Sequence, residues 1–320
     1  MEKNIIIDEC KELIDLSIFL NAIDDGSIIA MGLIPYIGFV IKEAKKWIGS
    51  SNSFIMSGKY NYYITQLRLK NKYYTSDTKC NFDNQKKSLT EAINIEKDYY
   101  SAELNNVGVY LINEEYIGNT ILYSDYLRIF RDTKKGLYES SEDILDLSIK
   151  MGGALCEIIN LLEGKKYEFA TSNIPLSEIK SEDMILDTCF FYKGDINKQV
   201  CFNILCSIDF ILYVLTKICS VESTLLFRAK YLSIYHAVQD LKELKIFPNI
   251  ESSLINKKFR NDMAHYGLFK YYDNTIYANL PFYGIVEERF GKSFYEMIPV
   301  LNNTMEIIQK TIKKELGLKI

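Results

Sequence analysis

Arg260, Asn261 and His265 are the residues of this chain whose types and spacing could do chemistry. They place a guanidinium, an amide and an imidazole within the run Arg260-Asn261-Asp262-Met263-Ala264-His265. His265 is one of only two histidines. On a helix each residue advances about 100°, so Asn261 and His265 share a face while Arg260 and His265 diverge by about 140°. One helix aims all three groups at a single point only if it ends near His265. Two copies crossing at a symmetric dimer interface do so by sharing a cleft. Such a cleft suits RNA cleavage, which needs a base for the ribose 2′-hydroxyl proton, an acid for the leaving 5′-oxygen, and a cation for the crowded phosphate oxygens. Two copies of His265 divide the proton work, and Arg260 stabilises the charge. Lys257, Lys258, Asp262 and Tyr266 flank these groups as candidate substrate contacts, although Asp262 is equally placed to pair with Lys258. The same residues also admit a purely structural reading, in which His265 caps its own helix near Gly267 and Arg260 pairs with a nearby carboxylate.

The run from Arg260 to His265 resembles the signature of the HEPN superfamily: Arg, a polar residue, three others, then His. The resemblance extends, by helix order, over roughly the last 120 to 140 residues. It implies an up-and-down helical bundle acting as a metal-independent endoribonuclease with no cofactor, of the kind found in toxin and antiviral (abortive-infection) systems. It further implies a homodimer with a composite active site, in which RNA is cut to a 2′,3′-cyclic phosphate and a 5′-hydroxyl. His265 is then the acid or base, Arg260 the phosphate binder, and Asn261 a positioner of ribose or phosphate. The chain departs from the branch of the family whose Tyr, two residues after the His, is modified by a partner nucleotidyltransferase: Tyr266 follows directly and Gly267 takes that place. Two rival functions stay open. One is a bundle that binds a nucleotide or RNA end through Arg260 without cleaving it. The other is a membrane-perturbing effector using residues 28–41.

Bulk properties narrow the field. The 320 residues, 48% of them hydrophobic, suffice for one large or two ordinary domains. With a net charge of −4, a grip on RNA must come from a local basic patch such as Lys257, Lys258 and Arg260. Seven cysteines without a close Cys-x-x-Cys pair argue against a disulfide framework or zinc ribbon and fit the thiols of a reducing cytoplasm. Two histidines leave little for a histidine-rich metal site, though a carboxylate-bound magnesium is compatible with the counts. The start of the chain lacks the basic residues and long apolar core of a secretory signal. Residues 28–41 are apolar but short of the ~20 residues that span a bilayer, which points to buried core.

The elements that must position the motif follow from periodicity. Residues 8–23 read as an amphipathic helix, and the segment 28–47 follows with Lys42, Lys45 and Lys46 at its end, where a helix dipole favours cations. Residues 59–74 interleave tyrosines with basic residues, a pattern that stacks bases and binds phosphates but also arises in any Tyr- and Lys-rich chain. Residues 86–111 and 141–162 are helical in pattern, the latter with Ser140 or Ser141 as N-cap, and residues 116–130 between them could pair as strands. Residues 164–175 are the best boundary. They separate an N-terminal sensor, regulatory or dimerisation region (1–175) from the bundle (176–320). Residues 199–221 are apolar nearly all round, and Asp209 among them favours a bundle centre over a membrane span, because a mid-membrane Asp costs about 2.5–3.5 kcal/mol. A helix follows from Ser223 to about residue 247, carrying His236, expected to be structural, and Asp240 and Glu243, either of which could orient Arg260. Asn249 or Ser252 is the expected cap of the motif helix, whose seam is Ile255, Phe259, Met263 and Tyr266. An aromatic loop to Gly284 and a last helix over residues 294–316 complete the chain. The expected fold class is therefore mainly α, with a few strands in the N-terminal half.

Overall fold

The computed structural model describes residues 2–20, 26–48, 78–100, 107–127, 141–168, 182–186, 195–265 and 281–320. The fold is mainly α. Its helices are α1 (Glu2–Leu20), α2 (Gly26–Ile48), α3 (Thr78–Tyr100), α4 (Thr120–Leu127), α5 (Ser141–Glu163), α6 (Ile196–Ile218), α7 (Thr224–Glu243), α8 (Lys257–His265), α9 (Pro281–Phe290) and α10 (Phe294–Leu316). Three antiparallel strands, β1 (Val107–Ile112), β2 (Glu115–Asn119) and β3 (Glu182–Leu186), form a sheet in the order β2-β1-β3. The interleaved tyrosines at 59–74, and most of the expected boundary segment, lie outside the described residues.

α6 is the centre. Val200, Phe202, Leu205, Phe210, Ile211 and Val214 are all buried, and it touches β2, α3, α7 and α10. By length and composition this helix could cross a membrane, but most of its apolar stretch is enclosed by the fold. From Phe210 to Leu215 it widens to a π-helical turn, where Thr216 Oγ1 donates to the Ile211 carbonyl at 2.8 Å. The widened turn brings the Phe210 ring against α2, stacked on Tyr36, at a place where only Gly32 leaves room. A buried amide relay ties α6 to the sheet: Asn119 Nδ2 and Gln199 Nε2 both donate to Asn203 Oδ1, at 2.9 and 3.0 Å. Asn119 Oδ1 meanwhile accepts from the Leu122 N–H and so starts α4.

Two expectations about local structure are corrected. Residues 107–111 form part of β1 rather than the end of a helix: Val107, Val109 and Leu111 alternate with Gly108 and Tyr110, and Asn113 and Glu114, both at positive φ, make the two-residue turn into β2. Residues 281–284 begin α9 rather than closing a loop, with Pro281 at the first helical position, where its missing N–H is harmless. The strand expectation for residues 116–130 holds for Tyr116 to Asn119 and gives way to α4 at Thr120. The last helix spans Phe294 to Leu316 as expected, opened by a Ser293–Glu296 capping box and closed by Gly317 in the left-handed conformation.

A single buried hydrophobic cluster runs from Ile5 in α1 to Ile312 in α10. It crosses the division expected at residue 175, as do the β1–β3 pairing and the contacts of α1 with α7. Leu33, Ile34, Phe39, Val40 and Ile41, from the apolar run of α2, belong to this core. Cys10, Cys156, Cys201, Cys206 and Cys219 are free thiols, and burial raises the pKa of each.

Candidate functional site

The motif occupies α8, a helix of nine residues that ends at His265 itself. Its start is capped by Asn256, not by Asn249 or Ser252: Asn256 Oδ1 accepts from the Phe259 N–H at 2.9 Å, and its carbonyl accepts from the Arg260 N–H at 2.9 Å. Ser252 opens a separate 3₁₀ turn over Ser252–Leu254, which moves the helix start downstream. So short a helix does not hold its place by itself. α7 holds both its ends. Tyr231 Oη donates to the Leu254 carbonyl at 2.9 Å and contacts the Asn256 carbonyl at 3.1 Å, fixing the approach to α8. Arg228, one turn earlier on α7, donates from Nε to the Met263 carbonyl at 2.9 Å and fixes the last turn. Phe259 and Met263 are wholly buried and Ile255 partly so, as the seam requires. Phe259 meets Tyr231 and Phe290 edge-on at 4.6 and 4.8 Å between centroids.

The polar side chains leave this seam in different directions. Lys257, Lys258 and Asn261 are exposed, Asp262 is half-buried, and Tyr266 lies outside the described residues. Arg260 is only 6% exposed, with its guanidinium carbon 5.2 Å from the centroid of the Tyr235 ring. Its Nε is buried without a hydrogen-bond acceptor, and among the described residues no carboxylate pairs with it. Asp240 and Glu243 do not orient it. Asp240 lies five residues beyond Tyr235 on α7, turned about 140° away; its buried carboxyl oxygens have no hydrogen-bond partner among the described residues, and desolvation, then the nearby Glu243, raises its pKa. Glu243 is exposed. A cation over a desolvated aromatic face recovers about 2 kcal/mol of a desolvation cost of several kcal/mol, so Tyr235 offsets only part of that cost, and among the described residues Nε finds no other compensation.

His265 behaves differently. Its side chain is 34% exposed, and Nδ1 lies 3.4 Å from Oε2 of Glu43, a fully buried residue of α2. Within one chain, therefore, Arg260 turns to Tyr235 of α7 and His265 to Glu43 of α2. His236 is buried and packs edge-on against Tyr235.

Arg228 joins these parts. Besides the Met263 carbonyl it holds Glu9 of α1 in a buried ion pair, and its guanidinium lies 4.5 Å over the Phe39 ring of α2. Thr224 Oγ1 donates to the other Glu9 oxygen at 3.0 Å. Beside this pair, Ser223 Oγ donates to Glu12 at 2.6 Å. Sequence reasoning did not find Glu9, Glu43 or Arg228. Nothing in periodicity marks a carboxylate 222 positions before its imidazole; a signal was available only for Arg228, an arginine among the apolar residues of α7. Arg289 of α9 also acts on this region: burial raises the Tyr231 pKa, and Arg289 and Arg260 both oppose the rise.

The fold and the site define a mainly α-helical protein with a small antiparallel sheet, in which an arginine and a histidine project from one short helix clasped by α7 and α2. No protein-family model, curated protein or solved structure matches the chain.

Proposed function

We propose that this protein is a metal-independent endoribonuclease of HEPN type, a toxin or antiviral effector that works as a homodimer. The observation that carries the reading is the pairing on one helix of a buried guanidinium, with no carboxylate partner among the described residues, and a partly open imidazole beside a carboxylate. A buried cation compensated only in part, by the Tyr235 ring, is suited to an anion arriving from outside, and a phosphate supplies it. An imidazole at the helix end, partly reached by solvent, is suited to proton transfer.

The reaction forms a bond from the ribose 2′-oxygen to phosphorus and breaks the bond from phosphorus to the 5′-oxygen. One neutral His265 takes the 2′-hydroxyl proton. A protonated His265, contributed by the second subunit, gives a proton to the departing 5′-oxygen. Arg260 stabilises the non-bridging oxygens, Asn261 positions the ribose or phosphate, and Lys257 and Lys258 attract the backbone electrostatically. The products are a 2′,3′-cyclic phosphate and a 5′-hydroxyl, and no cofactor enters. The divergence of Arg260 and His265 within one chain supports completion of the site by a second copy.

The test is incubation of purified protein with end-labelled RNA in chelator. The expected result is cleavage to cyclic-phosphate ends, lost in both Arg260→Met and His265→Ala, with a dimer seen by light scattering. Cleavage abolished by chelator, or retained in His265→Ala, overturns the reading. RNA binding through Arg260 without cleavage indicates the non-catalytic module instead, a reading favoured by how little of Arg260 is open.

A further inference from the structure

We propose that Glu43 is a positioning residue for His265, holding the imidazole with its proton on Nδ1 so that Nε2 is the nitrogen that exchanges protons with RNA. The inference rests on the ribonuclease reading and assigns to α2, outside the motif and outside the region that resembles the family, a part in the same site.

The argument is geometric. Glu43 Oε2 stands 3.4 Å from His265 Nδ1, and the residue is completely buried. A carboxylate is not placed in a core without compensation, and an imidazole N–H is such compensation. The distance is at the long end of hydrogen bonding, as is common for catalytic contacts before substrate binds.

The two side chains are not left to find each other. Phe39 and Glu43 lie four residues apart and so share one face of α2. The Arg228 guanidinium sits over the Phe39 ring at 4.5 Å, while its Nε grips the Met263 carbonyl two residues before His265. One buried side chain therefore sets the position of the helix that carries the carboxylate and of the turn that carries the imidazole. Glu9 in turn fixes Arg228.

The chemistry follows from the tautomer. With Nδ1–H donating to the carboxylate, the neutral ring's lone pair is on Nε2, where it can accept the 2′-hydroxyl proton. In the second subunit's copy, whose Nε2 starts protonated, the adjacent carboxylate stabilises the imidazolium until its own proton passes to the 5′-oxygen. Without Glu43 the neutral ring is free to carry its proton on Nε2 and loses the base.

The experiment is nitrogen-15 NMR of histidine-labelled full-length protein, read together with RNA cleavage. With two histidines in the chain, His236→Gln assigns the His265 signals. In the wild type above neutral pH, His265 is expected as the Nδ1–H tautomer. Glu43→Leu is expected to shift it to Nε2–H and to slow cleavage about a hundredfold. Glu43→Gln, whose amide oxygen still accepts from Nδ1–H, retains the tautomer and most of the rate, and remains readable if the leucine variant fails to fold. A wild-type Nε2–H tautomer, or a tautomer and rate unchanged in Glu43→Leu, overturns the proposal. A tautomer that follows Glu43 in a protein that never cuts RNA upholds the positioning role and overturns the ribonuclease reading.

Discussion

Arg228 donates from Nε to the main-chain carbonyl of Met263, 35 positions away, and so α7 decides where α8 ends. The same guanidinium neutralises Glu9 from α1. Removing one member of a buried ion pair leaves the other charge uncompensated, which costs about 3–5 kcal/mol. Arg228→Met is therefore expected to lose that much stability in chemical denaturation. The double variant Arg228→Met with Glu9→Leu, which removes both charges, should recover more than half of the loss. An Arg228→Met loss under 1 kcal/mol would show that this clasp does not hold the fold.

Tyr231 and Asn256 set the other end of α8. Tyr231→Phe removes the hydroxyl that serves the Leu254 and Asn256 carbonyls and should cost about 1–3 kcal/mol, because those acceptors sit partly or wholly out of water. Asn256→Ala removes the N-cap, at about 1 kcal/mol. Asn256→Asp, which keeps the acceptor and adds a charge the helix N-terminus favours, should leave stability within about 0.5 kcal/mol of wild type. Thermal unfolding of the three variants checks the ranking.

Stability should fall as pH rises through the weakly acidic range. Burial, reinforced by Glu9 and Asp15 and opposed by hydrogen bonds from Ser223 and Cys219, raises the Glu12 carboxyl from its ordinary 4.5 to about 7. Below about pH 4.5 the carboxyl is protonated in both folded and unfolded chains, and its contribution is fully present. Between there and about pH 7 the unfolded chain ionises while the folded one does not, so the contribution is lost, about 3 kcal/mol at most. Asp209 and Asp240, raised chiefly by burial, act with the same sign. Urea titrations across this range should show the decline, and Glu12→Gln should remove a measurable part of it. A slope identical in Glu12→Gln and wild type would contradict the assignment.

Gly32 is required by the π-helical turn of α6. A Cβ at position 32 would stand 2.2 Å from the buried Phe210 ring, so Gly32→Ala forces the ring or α2 to shift and should cost about 1–3 kcal/mol by thermal unfolding. Pairing it with Phe210→Leu should recover part of that loss. Because Glu43 rides on the same helix, the proposed ribonuclease role further predicts slower RNA cleavage in the single variant.

Much of the helical framework was legible in the sequence, because helix formation is announced locally. The repeat of apolar residues along 8–23, 141–162 and 294–316 needs no distant partner to be read. The motif was legible for the same reason: a spacing of four or five residues fixes, through the helical turn, that Asn261 shares a face with His265 and Arg260 does not. Where sequence reasoning failed locally, a weaker signal had been outvoted. At 107–111 the period-two alternation was hidden by the helical pattern running into it, and at Pro281 the aromatic residues of the preceding stretch masked a helix start.

What the amino-acid order by itself determined is which helix carries the arginine, the amide and the imidazole, and how they are angled about its axis, since both depend on neighbours within one or two turns. Only the tertiary structure decided what each group meets: Tyr235 under Arg260, Glu43 beside His265, Arg228 gripping the Met263 carbonyl. Those partners come from other helices, in the case of Glu43 from more than two hundred residues away. They are selected by how the helices pack, and a periodicity of 3.6 residues carries no information about which face of a distant helix will arrive.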